Sequence, residues 1–168
     1  MKAPNLTAER LRECLAYDPE TGVFTWLVAP NRRIRVGRIA GVACRTHGYR
    51  LIKVDGVGAR AHRLAWLYMT GEWPAADIDH INGDRADNRW SNLRQATSTQ
   101  NHANSKRPKH NTSGVKGVTW DSSRGQWMAG VQINGKRVHL GRFDSIEAAA
   151  AAYRAGAERV FGQYARSA

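Results

Sequence analysis

The stretch that most constrains this chain runs from Gln126 to Phe143, where two eight-residue strand-like runs flank Asn134-Gly135. Asn-Gly readily adopts positive φ at both positions, so it closes a two-residue hairpin whose twist suits the flanking strands. The register then places Gln132 opposite Arg137 and Gly130 opposite His139. Trp127, Ala129, Val131 and Ile133 share one face, joined by Val138 and Leu140, while Gln126, Met128, Gly130 and Gln132 share the other. Upstream, Val115 to Asp121 reads as a third strand, closed by a turn at 122–125. Downstream, Asp144 or Ser145 can cap a helix on which Ile146, Ala150, Tyr153, Ala157 and Val160 recur at helical spacing. The pattern predicts a three-stranded antiparallel sheet backed by one helix, with its second face uncovered.

Charge suggests what that face meets. The 168 residues hold 26 Lys and Arg against 14 Asp and Glu, a formal charge of +12. Such an excess favours a polyanion, and nucleic acid over an acidic protein or a membrane surface. Gln, Arg and His beside a glycine suit the major groove in shape and donors, although an ordinary solvated sheet face is the alternative. Base contacts and phosphate contacts cannot be separated at this level. The two cysteines, Cys14 and Cys44, are too few for a disulfide framework or a cysteine zinc site. Met1 to Arg10 lacks the apolar core of a signal peptide, and no apolar run reaches the roughly 18 residues of a membrane span. The expectation is a protein of a bacterial cytoplasm with no membrane partner.

Residues 105–113 contain no apolar side chain and include Lys106, Arg107 and Lys109. They read as a basic linker lying along phosphates, which divides the chain into residues 1–104 and 114–168. In the first part, Thr7 can cap a helix carrying Leu11, Cys14 and Leu15, and Val23 to Leu27 reads as a strand after the turn at 18–22. The segment 31–38 carries Arg32, Arg33, Arg35 and Arg38 and forms a loop, either free in solvent or laid along phosphates. Tyr49 to Val54 and a return through Ala59 form a hairpin about Asp55-Gly56. His62 to Thr70 forms a helix stopped by Gly71, with His62 a structural residue.

The chemistry-bearing segment is Asp79-His80-Ile81-Asn82-Gly83-Asp84, followed by Asp87-Asn88-Arg89, Ser91-Asn92-Leu93-Arg94 and Asn101 to Asn104. A short strand at 78–81, a loop at 82–91, a return strand at 92–96 and a helix opened by the Thr97/Gln100 capping box are predicted. A carboxylate and a carboxamide suffice for a hard divalent ion that keeps most of its waters. An adjacent imidazole on the opposite side of the strand can act as general base without competing for that ion. The same residue types also make turns and local Asp-His hydrogen bonds, so composition alone leaves both readings open. No Cys/His set has zinc spacing, and 77–87 lacks the pattern of a calcium-binding loop.

These residues, together with His62-Arg63-Leu64-Ala65-Trp66 and Gly71-Glu72-Trp73-Pro74, resemble the HNH homing endonucleases of phages and mobile introns. The resemblance implies an α+β fold with a strand-strand-helix (ββα) metal finger at 78–104. It implies hydrolysis of DNA to 5′-phosphate and 3′-hydroxyl ends with one divalent ion, Mg²⁺ or alternatively Mn²⁺. It assigns Asp79 and Asn101 as metal ligands, His80 as general base and Asn92 as the residue that orients it. Many relatives have His where Asn101 stands; His102 falls off the expected helix face, and Asn104 reads as a cap or phosphate contact. Gly117-Val118, Trp127, Ala129, Val131, Arg137 to Gly141, Phe143 and Phe161-Gly162 resemble the Apetala/ethylene-response-factor DNA-binding domain. That likeness implies groove contacts from Lys116, Gly130, Gln132, Arg137 and His139. Gly130, Gln132 and His139 replace the family's usual Glu, Arg and Trp, so its sequence preference does not transfer.

The combined expectation is a monomeric nuclease that nicks double-stranded DNA. One alternative is a DNA-binding regulator whose nuclease-like region is inert, although Asp79, His80 and Asn101 are all present. RNA binding is weaker, because the sheet face lacks an aromatic stacking pattern.

Overall fold

A computed structural model describes residues 6–108 and 110–166, so the linker residue Lys109 lies outside the described residues. Among the described residues the chain is a mixed α+β protein with four α-helices and four small sheets. It divides into two compact units, Met1–Gln95 and Ala96–Ala168.

In the first unit, Thr7 Oγ1 accepts from Arg10 N and opens α1, Ala8–Cys14. The helix is shorter than its apolar stripe suggests: Leu15 already belongs to β1, Leu15–Asp18, which pairs antiparallel with β2, Val23–Trp26. Leu11 and Leu15 are nonetheless both fully buried, because the chain turns directly from helix into strand over the same core. The arginine segment 31–38 is a loop whose four arginines are exposed. Its base is fastened to β2 by Trp26 N to Arg38 O at 3.0 Å and Ala40 N to Phe24 O at 2.7 Å.

β3, Val42–Ala43, β4, Arg50–Val54, and β5, Val57–Arg60, form an antiparallel sheet. Asp55 and Gly56 close its hairpin with φ of 48° and 84°, the two positive values that a type I′ turn demands. α2, Ala61–Thr70, follows and ends on Gly71 in the left-handed region. Phe24, Ile52, Val54, Leu64 and Leu67 fill the core, and Tyr17, Phe24 and Tyr68 pack ring against ring. β6, Asp77–His80, lies beside β7, Leu93–Ala96, after a single 3₁₀ turn at Trp90–Asn92.

One turn connects this core to the candidate site. Gly22 has φ +72°, and a Cβ there would stand 2.3 Å from the carbonyl carbon of Asn88. The Tyr17 hydroxyl donates to Asn88 O at 2.7 Å and Trp90 N to Pro19 O at 2.9 Å. The β1-β2 hairpin is therefore pressed against the loop that follows His80.

The second unit contains α3, Ser98–Asn104, β8, Val118–Asp121, β9, Gln126–Ile133, β10, Lys136–Phe143, and α4, Ile146–Phe161. The sheet has order β10-β9-β8 and is antiparallel, with Gln132 opposite Arg137 and Gly130 opposite His139. A bulge after His139 shifts the register by one residue at Leu140. Val118, Ala129, Val131, Ala149, Tyr153 and Ala157 form the core. Two residues expected there differ: Val138, on the outer strand, stays 42% exposed and Val160, near the end of α4, 40%.

The unit division falls at Gln95, ahead of the basic linker, so α3 is grouped with the sheet. Three hydrogen bonds tie α3 and the residue after it to the sheet. Thr99 Oγ1 bonds the Asn134 side chain at 2.7 Å, and Lys116 Nζ donates to Ala103 O at 2.5 Å and Ser105 O at 2.6 Å.

Candidate active site and nucleic-acid surface

β6 carries Ile78, Asp79 and His80 into the interior, all three under 7% exposed. A buried carboxylate is costly unless paired, and Arg94 from β7 meets that need: its Nε and Nη2 both reach Asp79 Oδ2, at 2.9 and 2.8 Å.

His80 lies in a pocket of rings. The His62 ring is 4.9 Å away at 87° and the Tyr49 ring 6.1 Å away. Burial holds the His80 pKa below the ordinary histidine value, opposed by its bond to Asn88 and by the Asp79, Asp84 and Asp87 carboxylates. An imidazole kept neutral in this way can accept a proton near pH 7. His62 is buried more completely in effect: desolvation, then the charges of His80, Arg60 and Arg63, push its pKa down to about 3. Its Nδ1 is buried with no hydrogen-bond partner.

The loop after His80 is cross-braced. Asn92 Oδ1 accepts from Asn82 N at 3.0 Å, while its Nδ2 donates to Asn82 Oδ1 at 3.1 Å and to Asp87 O at 2.8 Å. Asp87 accepts from Asn82 Nδ2 and from Arg89, whose bond is the main cause of its carboxyl falling to about 2. The carboxamide that meets the His80 ring is Asn88, with Oδ1 3.4 Å from Nε2. Its Nδ2 donates to Ala86 O at 2.9 Å, which fixes the amide so that oxygen faces the imidazole. Asn92 instead holds the Asp87 carbonyl that precedes Asn88. Asn88 sits in the Asp87-Asn88-Arg89 motif, but three carboxamides in one loop leave the choice to the 3₁₀ turn.

In the second unit, the capping box at Thr97 and Gln100 is formed as predicted, and half-buried Asn101 lies one turn into α3. Asn104 is buried and His102 exposed. The Asp79 carboxylate and the Asn101 carboxamide are each hard oxygen donors, of the kind that suits a hard divalent ion better than zinc. Among the described residues no three His, Cys, Asp or Glu side chains are grouped to hold a metal.

On the sheet, Gln132, Arg137 and His139 are exposed, as are Lys106 and Arg107 of the linker. Arg137 lies across Gly130, where a Cβ would stand 2.7 Å from its Nε, and its Nη2 is 3.3 Å from the Thr119 hydroxyl. Gly130 is thus needed by the arginine above it. Lys116 departs from expectation: its ammonium is engaged with the backbone at the end of α3, and burial lowers its pKa to about 8. Among the described residues no helix is long and apolar enough to cross a membrane.

The profile of the HNH endonuclease family matches residues 59–103, and that of the AP2 domain residues 113–162. Protein 3.8 of Escherichia phage T7 is 38% identical over 108 residues, which cover 64% of this chain and 88% of that protein. No solved structure matches. The chain belongs to the family of Protein 3.8, and it joins an HNH endonuclease domain to a C-terminal AP2 DNA-binding domain.

Proposed function

We propose that this DNA-binding nuclease is an endonuclease of the homing type that nicks one strand of duplex DNA as a monomer. In this reading residues 1–104 cut, with a ββα-metal finger at 78–104, while 105–113 track phosphates and 114–168 hold the target. The observation that carries it is His80, buried, held neutral and bonded by an oriented Asn88 beside the Asp79 carboxylate.

Asp79 and Asn101 would hold one divalent ion, Mg²⁺ or Mn²⁺, which when bound supplies electrostatic stabilisation of the charge growing on phosphate and leaving oxygen. Arg94 fixes the rotamer of Asp79 by occupying Oδ2. Asn88 Oδ1, 3.4 Å from Nε2, orients the ring, and neutral His80 takes a proton from the attacking water. Asn92 keeps the loop closed so that Asn88 stays in reach. Gln132, Arg137 and His139 face the DNA, and Lys106, Arg107 and Lys109 neutralise its phosphates.

Supercoiled plasmid with Mg²⁺ tests the reading. Wild type is expected to yield open circles that DNA ligase reseals, as 5′-phosphate and 3′-hydroxyl ends require, and His80→Ala to retard DNA without opening it. Equal nicking by both proteins would remove His80 from the mechanism.

A further inference from the structure

Three separate elements of the first unit bring two guanidinium groups onto one aromatic ring beside His80. Arg60 ends β5 and Arg85 lies in the loop after β6; their Cζ atoms sit 4.3 and 5.0 Å from the Tyr49 ring centroid. That same ring is 5.2 Å from the His62 ring and 6.1 Å from that of His80. Both arginines are exposed and Tyr49 is half-buried.

Among the described residues neither arginine forms an ion pair with a carboxylate. Arg85 Nη1 donates to His47 O at 3.3 Å, and the neighbouring Asp84 carboxylate accepts from Ala86 N instead. A single arginine on a tyrosine is common surface packing worth about 0.5–1 kcal/mol. Two like charges on one ring repel each other, and among the described residues no carboxylate stands within ion-pair distance of either. Stacking leaves the edges of a guanidinium directed outward, and its planar fork matches the oxygens of a phosphate in bidentate fashion. The sequence that carries Tyr49 adds no acid of its own, since no Asp or Glu occurs between Glu20 and Asp55.

We propose that Arg60 and Arg85, stacked on Tyr49, form a phosphate clamp that holds the backbone of duplex DNA beside His80. The clamp rests on the nuclease reading for its position and gives the first unit a grip on DNA of its own. It contacts phosphates, so it adds affinity and placement without sequence preference.

The test uses the full chain with Arg60→Gln/Arg85→Gln and, separately, Tyr49→Leu, each checked for a wild-type urea transition. In EDTA, the slope of log K against log salt for duplex DNA is expected to become shallower by about 1.8 in the double variant, two phosphates at about 0.9 each. Tyr49→Leu keeps both charges and loses their platform. It is expected to slow single-turnover cutting at saturating DNA and Mg²⁺ on the order of tenfold or more, as misplacement of bound substrate does. An unchanged slope in the double variant overturns the clamp. Normal cutting by Tyr49→Leu also overturns it, since the arginines would then act as independent charges. If wild type binds with the steeper slope but never cuts, the nuclease reading fails and the clamp stands as a DNA contact.

Discussion

His62 is an imidazole that the fold keeps from water, with Nδ1 unbonded and a pKa pushed down to about 3. In the unfolded chain it takes up a proton as pH falls through about 6.5; in the folded protein it does so only near 3. The unfolded state therefore binds more protons throughout that window, and stability falls as the solution is acidified. Its contribution is intact above the ordinary histidine pKa and costs at most about 1.4 kcal/mol per pH unit below it. Wild type is expected to lose urea-midpoint stability between pH 6.5 and 4 more steeply than His62→Phe, which keeps a ring against His80 but cannot titrate. Parallel profiles would show that other groups, with His80 the first suspect, set the acid response. That His62 belongs inside was readable from its place at the start of α2; that it would touch His80, eighteen residues on, was not. Helical periodicity reports which way a side chain points and says nothing of which other element arrives there. Which carboxamide stands against the His80 ring was hidden for a related reason, because all the loop's carboxamides suit turns and only a single 3₁₀ turn decides which one meets it.

Elements were legible where local chemistry leaves one conformation. Asn134-Gly135 and Asp55-Gly56 set their hairpins, Thr97/Gln100 its helix start and Gly71 a helix end, each through backbone geometry that few other residues accept. The bulge at Leu140 was not legible, since a one-residue register shift leaves no compositional mark when both strands are long. Neither was the support given to the loop after His80 by the β1-β2 hairpin, which joins segments some seventy residues apart, as in Tyr17 to Asn88. That support makes a sharp prediction at Gly22. Alanine there would meet both a φ of +72° and a Cβ 2.3 Å from the Asn88 carbonyl carbon. A residue forced into positive φ costs on the order of 1–3 kcal/mol, and the clash adds displacement of Asn88 from His80. Gly22→Ala is expected to lower the melting temperature and, at a temperature where it remains folded, to slow single-turnover cutting while DNA affinity is retained. Cutting at the wild-type rate by the folded variant would show that the hairpin does not position the loop.

At the scale of the whole chain, the +12 charge makes DNA affinity steeply salt dependent, and the two units allow affinity and sequence preference to be separated. Lys106 and Arg107 are exposed, Arg107 Nη1 donating to Asn111 O at 3.0 Å, and in the proposed function they neutralise phosphates. Arg137, laid over Gly130 and within reach of Thr119, has a fixed direction on the sheet face, with Gln132 as its cross-strand neighbour. In EDTA, Lys106→Gln/Arg107→Gln is expected to weaken every duplex alike and to flatten the salt slope by about 1.8. Gln132→Ala/Arg137→Ala should instead narrow the gap between a binding site selected from a random library and a scrambled duplex, by about 1–3 kcal/mol for each side chain that reads a base edge. The departures from the AP2 pattern at Gly130, Gln132 and His139 sharpen the comparison, because the selected site must then reflect this chain's own side chains. Should the Gln132/Arg137 variant weaken both duplexes equally, the sheet face holds phosphates alone, and any preference would have to come from the shape of the DNA or from the nuclease unit.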